Sequence, residues 1–208
     1  MNVPNQLTCS RFVFALLMLF CLSFSFPYAK SIGLFLFVIA SITDALDGYL
    51  ARNKYGCSAF GKLMDPLADK VLVTVALVCF VEIRFDLAYP AAPLVPAILV
   101  VPIIIREFMV TGLRLLAVEK GEVISAGPMG KWKTVLQMIA IIFTLISLAL
   151  VEDVLSDINP DTLKSVEYMF HWIIWILMGS AMIITILSGA EYFVKHHQLF
   201  TSESDEKN

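Results

Sequence analysis

Six apolar runs, each about as long as a bilayer core is thick, constrain this 208-residue chain more than any other feature. A hydrocarbon core of about 30 Å takes roughly 20 residues of helix. The runs cover about 7–27, 31–52, 64–83, 90–116, 132–151 and 168–194. The breaks between them read as turns and connections: FPYAK, NKYGCSAFGK and FDLAYPAAP, then the longer polar stretches EKGEVISAGPMGK and EDVLSDINPDTLKS. Runs of this length satisfy their backbone groups in lipid only as helices. The hydrophobic share of 59% agrees, because a soluble domain holds about 45–50%.

The expected fold is therefore all-α: a polytopic membrane protein of six transmembrane helices. Residues 1–200 form one transmembrane domain, and the polar TSESDEKN, 201–208, is a tail. The opening MNVPNQLTCSRFVFALLMLFCLSFSF lacks a basic lead and carries Arg11 inside the segment, so it reads as a retained first helix. Cys9, Cys21, Cys57 and Cys79 show no C-x-x-C pairing and read as small hydrophobes. A net charge of −3 leaves no basic field for nucleic acid.

Basic residues set the orientation. With both termini cytoplasmic, Lys30, Arg84 and Lys164 are the only ones of the 15 Lys and Arg left outside. The connection from Glu152 to Glu167, rich in acid, then lies outside as well. Asp44, Asp47, Asp65 and Asp69 fall near the cytoplasmic ends of the second and third helices, giving a polar active site that faces the cytoplasm.

Those four aspartates are the costly part of the sequence. Asp44 and Asp47 are three apart and Asp65 and Asp69 four apart, spacings that stack side chains on one helical face. Gly48, Ala51 and Gly61 let two membrane helices approach, and Pro66 suits a first helical turn. Four carboxylates beside apolar surroundings stay ionised only if cations compensate. Two divalent ions balance them, and all-oxygen ligation points to Mg²⁺ or Mn²⁺. Such a pair polarises a phosphoryl oxygen, which makes phosphoryl transfer at the membrane surface the leading reading.

The full run, Asp44-x₂-Asp47-Gly48-x₂-Ala51-Arg52-x₈-Gly61-x₃-Asp65-x₃-Asp69, resembles the motif of the CDP-alcohol phosphotransferase family at every fixed position. The segments NVPNQLTCSR, REFMVTGLRLLAVEKG and GKWKTVLQ are similar to regions of members whose acceptor is glycerol 3-phosphate. The resemblance implies that Asp44, Asp47 and Asp65 hold two divalent ions, with Asp69 completing the cluster and acting as base on the acceptor hydroxyl. It implies that Gly48, Ala51, Arg52 and Gly61 surround the CDP moiety, with Asn5 and Thr8 at the edge of the same site together with Arg11. An interfacial amphipathic turn is the alternative for those last three residues. The implied reaction is transfer from CDP-diacylglycerol to sn-glycerol 3-phosphate, giving phosphatidylglycerophosphate and CMP, by a homodimer among membrane lipids.

The motif leaves the acceptor open. Arg106, Arg114, Lys131 and Lys133 lie at adjacent helix ends and can form a pocket for an anionic group, with Glu107 orienting one of the cations. Lys131 and Lys133 also read as positive-inside anchors. His171, His196 and His197 read as interfacial residues. The competing functions are a family member using inositol phosphate, serine or choline, a membrane prenyltransferase, and a cation transporter built on intramembrane carboxylates.

Overall fold

The computed structural model describes residues 3–54, 59–88, 92–119 and 128–195, with side chains over 10–43, 70–88, 92–118 and 129–195. Among the described residues there are six α-helices and one π-helical segment. They are α1 (Val3–Ser23), α2 (Ala29–Lys54), α3 (Ala59–Glu82), α4 (Ala97–Glu119), α5 (Pro128–Leu148), the π segment (Ala149–Val154) and α6 (Pro160–Lys195). Met129–Val154 and Pro160–Lys195 are long and apolar enough to cross a membrane. Leu16, Phe35, Ile98, Ile176 and Val194 all lie more than 60% exposed, a surface suited to lipid rather than water.

The helices begin where backbone chemistry allows, which is not always where the apolar runs begin. Pro90, Pro93 and Pro96 lie within the expected fourth span, and α4 starts only at Ala97. A proline disfavours helix in the residue before it and lacks an N–H of its own. Residues 94 and 95 instead fold back on α3, where the Leu94 N–H donates to the Ile83 carbonyl at 2.7 Å and that of Val95 to Phe80 at 3.1 Å. At the start of α6, Asn159 Oδ1 accepts the Asp161 N–H at 3.0 Å with Pro160 in the first helical position, a pairing of cap and proline that starts a helix well before hydrophobicity rises. At 36 residues α6 is about 54 Å long, well beyond a bilayer core of about 30 Å.

The chain divides into two compact units. Unit 1 comprises Met1–Pro96 and Ile141–Trp175. In it α1 packs against α2 and α3, α2 touches α3, and the π segment packs on α2. The buried face of α1 repeats as Arg11, Ala15, Met18 and Leu22, the spacing of one helical stripe. Gly33 permits the close approach of α2, since a Cβ there would lie 3.1 Å from Leu22 Cδ2. Cys21 and Cys79 are both buried and free.

Unit 2 comprises Ala97–Ala140 and Ile176–Asn208. Its described core includes Val100, Ile103, Val110, Ala117, Ala140, Met178 and Ala181.

The acidic connection corrects one expectation. The π segment prolongs α5 through Val154, closed by the Leu155 N–H on the Leu150 carbonyl at 2.8 Å, the i→i−5 bond of a π turn. Only residues 155–159 separate it from α6. Two of the acids on either side, Asp153 and Glu167, are anchors rather than loop charges. Asp153 Oδ2 accepts both the Ser31 N–H at 2.6 Å and the Ser31 hydroxyl at 2.7 Å. Glu167, 3% exposed, accepts the N–H groups of Leu87 at 3.1 Å and Ala88 at 2.7 Å. His171 is likewise buried rather than interfacial, its ring centroid 5.3 Å from that of Trp175.

Candidate functional site

The motif falls on one helical hairpin of unit 1. Asp44, Asp47, Gly48, Ala51 and Arg52 belong to the second half of α2, while Gly61, Asp65 and Asp69 belong to the first half of α3. Both aspartate pairs are thus on continuous helix, where residues three or four apart share a face. The two helices touch and are joined through residues 55–58, so the aspartate-bearing halves occupy the same end of the hairpin. Because α3 begins at Ala59, Pro66 lies inside the helix instead of in its first turn, where it removes one i→i−4 bond. The side chains of Asp44, Asp47, Gly48, Ala51, Arg52, Gly61, Asp65 and Asp69 lie outside the described residues, as do those of Asn5 and Thr8 in the first turns of α1. Arg11, further along α1, is buried at 5% exposure rather than lying on an exposed interfacial turn.

The residue types suit a divalent metal: four carboxylates, two on each of two touching helices. Among the described residues no group of three His, Cys, Asp or Glu could hold a metal ion; the side chains of the four aspartates are not among them.

The far end of unit 1 has a different character. Lys30, 5% exposed at the start of α2, donates from Nζ to the Leu22 carbonyl at 2.7 Å and lies 3.5 Å from Glu152. A recess of about 300 Å³ beside them is lined by Leu22, Lys30, Cys79, Glu82, Arg84 and Glu152. Along α2 it is about 20 Å from Asp44, at 1.5 Å per residue.

The cations expected to bind an anion belong to unit 2. Lys131 is exposed at the start of α5. Lys133 is 4% exposed and its Nζ donates to the carboxylate of Glu107, itself buried on α4. Arg106 Nη2 donates to Ser188 Oγ on α6 at 2.8 Å, and the Arg114 guanidinium carbon sits 5.8 Å from the centroid of Tyr192, within cation–π range. The Nε atoms of Arg106 and Arg114 are buried with no hydrogen-bond partner among the described residues. Among the described residues α4 thus carries two arginines whose Nε donors are unused. Sequence reasoning assigned no role to the last helix. The Ser188-Gly189-Ala190 run in an otherwise apolar helix is the signal that could have drawn attention to it.

Comparison with known families matches residues 1–187 to the CDP-alcohol phosphatidyltransferases. The chain belongs to the CDP-alcohol phosphatidyltransferase family. As a CDP-alcohol phosphatidyltransferase it is similar over nearly its whole length to enzymes named CDP-diacylglycerol–glycerol-3-phosphate 3-phosphatidyltransferase. The protein of that name from Bacillus subtilis (strain 168) is 39% identical over 207 residues, covering 94% of this chain and 95% of the relative. The one from Rickettsia bellii is 34% identical over 193 residues, covering 92% and 93%. The one from Haemophilus influenzae is 39% identical over 144 residues, covering 67% and 73%. With this family and two helices of membrane-crossing length, the chain is a membrane protein.

Proposed function

We propose that this CDP-alcohol phosphatidyltransferase moves the phosphatidyl group of CDP-diacylglycerol to sn-glycerol 3-phosphate, giving phosphatidylglycerophosphate and CMP for phospholipid synthesis. The observation that carries the reading is the 39% identity to the Bacillus subtilis enzyme of that name, sustained over 95% of that protein. The reading is supported by the helical placement of the aspartate motif on α2 and α3 and by the arginines of α4.

In this reading Asp44, Asp47 and Asp65 would hold two divalent cations, Mg²⁺ or Mn²⁺, with Asp69 completing the cluster as the base. When bound, such cations polarise phosphoryl oxygens and neutralise charge on the departing CMP. Asp69 accepts the proton of the acceptor 1-hydroxyl. The freed oxygen attacks the phosphorus that bears diacylglycerol. The bond from that phosphorus to the oxygen shared with CMP breaks, and CMP leaves with the electron pair. Gly48, Ala51 and Gly61 leave room for the CDP moiety, with Arg52, Asn5 and Thr8 around it. Arg106, Arg114, Lys131 and Lys133 bind the phosphate of the acceptor, the arginines by their planar forks.

Residues 1–200 act as one transmembrane domain of six spans, ahead of a polar tail at 201–208. Active site and termini are cytoplasmic, in a bacterial cell membrane, and the chain works as a homodimer. The orientation is supported by unit 1, where Lys30, Arg84 and Lys164, the three basic residues assigned outside, occur at the start of α2, just past α3 and at the start of α6. A recess of about 350 Å³ there is lined by Arg84, Glu152 and Leu163 among others, so these chain ends share one end of the unit.

The test is CMP release by the purified chain from CDP-diacylglycerol with glycerol 3-phosphate, inositol phosphate, serine and choline offered in turn. Release is expected with glycerol 3-phosphate and a divalent ion only. Preference for another alcohol would reassign the acceptor, and full turnover in excess chelator would remove the metal.

A further inference from the structure

α6 carries a polar and small stripe on its buried side: Thr185, Ser188, Gly189 and Tyr192 are all buried. They repeat at i, i+3, i+4 and i+7, one face of a helix. That face meets α4 in sequence order, Arg106 at Ser188 and Gly189 and Arg114 at Tyr192, so the two helices run in the same direction.

The contact with Arg106 is shaped on two sides. A Cβ at Gly189 would lie 3.0 Å from Arg106 Cγ, 3.6 Å from Nε and 3.9 Å from Cδ. The arginine stem therefore occupies the space that a missing side chain leaves. Ser188, 4% exposed, fixes one corner of the guanidinium through its hydroxyl. An arginine has five N–H donors in a rigid plane. One goes to Ser188, and Nε has no partner among the described residues.

We infer that Ser188 and Gly189 are positioning residues that aim the Arg106 fork and thereby set the affinity for the anionic acceptor. Holding a flexible side chain in its binding geometry beforehand reduces the entropy lost when the ligand arrives. The family match ends at residue 187, so this pair lies just beyond the matched region. The inference rests on the proposed role of Arg106 as a ligand of the acceptor phosphate.

The experiment is steady-state kinetics of the full chain in mixed micelles with both substrates varied, on Ser188→Ala, Ser188→Thr, Gly189→Ala, Arg106→Ala and the Arg106→Ala/Ser188→Ala double variant. Thermal melting of each variant checks its folding. Loss of the hydroxyl in Ser188→Ala raises the KM for glycerol 3-phosphate about three- to tenfold, with kcat and the donor KM nearly unchanged. Ser188→Thr keeps the hydroxyl and stays close to the parent, Gly189→Ala raises the acceptor KM, and Ser188→Ala adds nothing once Arg106 is gone. If these two residues only let helices pack, the pattern reverses: Ser188→Ala is silent and the bulkier Ser188→Thr is damaging. That outcome, or an equal rise in both KM values, overturns the inference. An additive effect in the double variant overturns it while leaving the role of Arg106 intact. An unchanged acceptor KM in Arg106→Ala defeats both.

Discussion

Lys30 Nζ lies 3.5 Å from the Glu152 carboxylate and 2.7 Å from the Leu22 carbonyl oxygen, so one buried cation joins the end of α1, the start of α2 and the π segment after α5. Removing Lys30 leaves the carbonyl and the carboxylate without their donor, whereas removing Glu152 leaves Lys30 its carbonyl. Lys30→Ala is expected to destabilise by about 2–4 kcal/mol and Glu152→Gln by about 1 kcal/mol. Both are read as thermal melts in detergent. Substrate KM values stay near those of the parent, and a selective loss of acceptor affinity would show that this end takes part in binding.

Lys133 and Glu107 pose a different question, because Lys133 is assigned both a buried ion pair and an acceptor contact. Glu107→Ala leaves the Lys133 charge buried without that carboxylate, at a cost of about 3–5 kcal/mol. The double variant Glu107→Leu/Lys133→Met removes both charges and recovers most of that stability. Its acceptor KM stays raised if Lys133 also contacts the phosphate. A double variant with both stability and acceptor KM restored assigns Lys133 to the scaffold alone.

Asp69→Asn is nearly isosteric and removes the proposed base. Turnover is expected to fall at least about 10²-fold, while binding of Mn²⁺ and of CDP-diacylglycerol, followed by isothermal titration, is largely retained. Equal loss of metal binding would make Asp69 a ligand rather than a base.

Arg114→Ala is expected to raise the KM for glycerol 3-phosphate more than that for the donor, and Arg114→Lys to recover only part of it, since an ammonium cannot bind two oxygens in a fork. Tyr192→Leu tests the ring contact separately. Losing a largely buried cation–π pair costs about 1–2 kcal/mol, so a lowered melt with an unaltered acceptor KM is the expected result. No change in acceptor KM for Arg114→Ala would take the residue out of the pocket.

Helix content and the helical register of the aspartates were legible in the residues, because both follow from local periodicity. Asp44 with Asp47, and Asp65 with Asp69, share faces wherever helix forms, and the structure puts all four on helix. Boundaries were less legible. α3 reaches back to Ala59 and α6 to Pro160, while α4 waits until Ala97. Hydropathy marks where a chain suits lipid, whereas helix ends are decided by caps and prolines. The acids between 152 and 167 looked like loop charges because nothing local tells a solvated carboxylate from one aimed at a distant N–H. Asp153 bonds Ser31 across 122 positions of sequence, and Glu167 bonds Ala88 across 79.

The sequence by itself determined the apolar runs, the all-helical class and the paired carboxylates, since each depends on residues within a turn or two of one another. Only the tertiary structure decided which group answers each buried charge: Glu152 for Lys30, Glu107 for Lys133, Ser188 for Arg106. Each of those partners sits on another element. A charge removed from water is stabilised by whichever group packing brings within hydrogen-bond reach, and packing joins residues that order along the chain keeps apart.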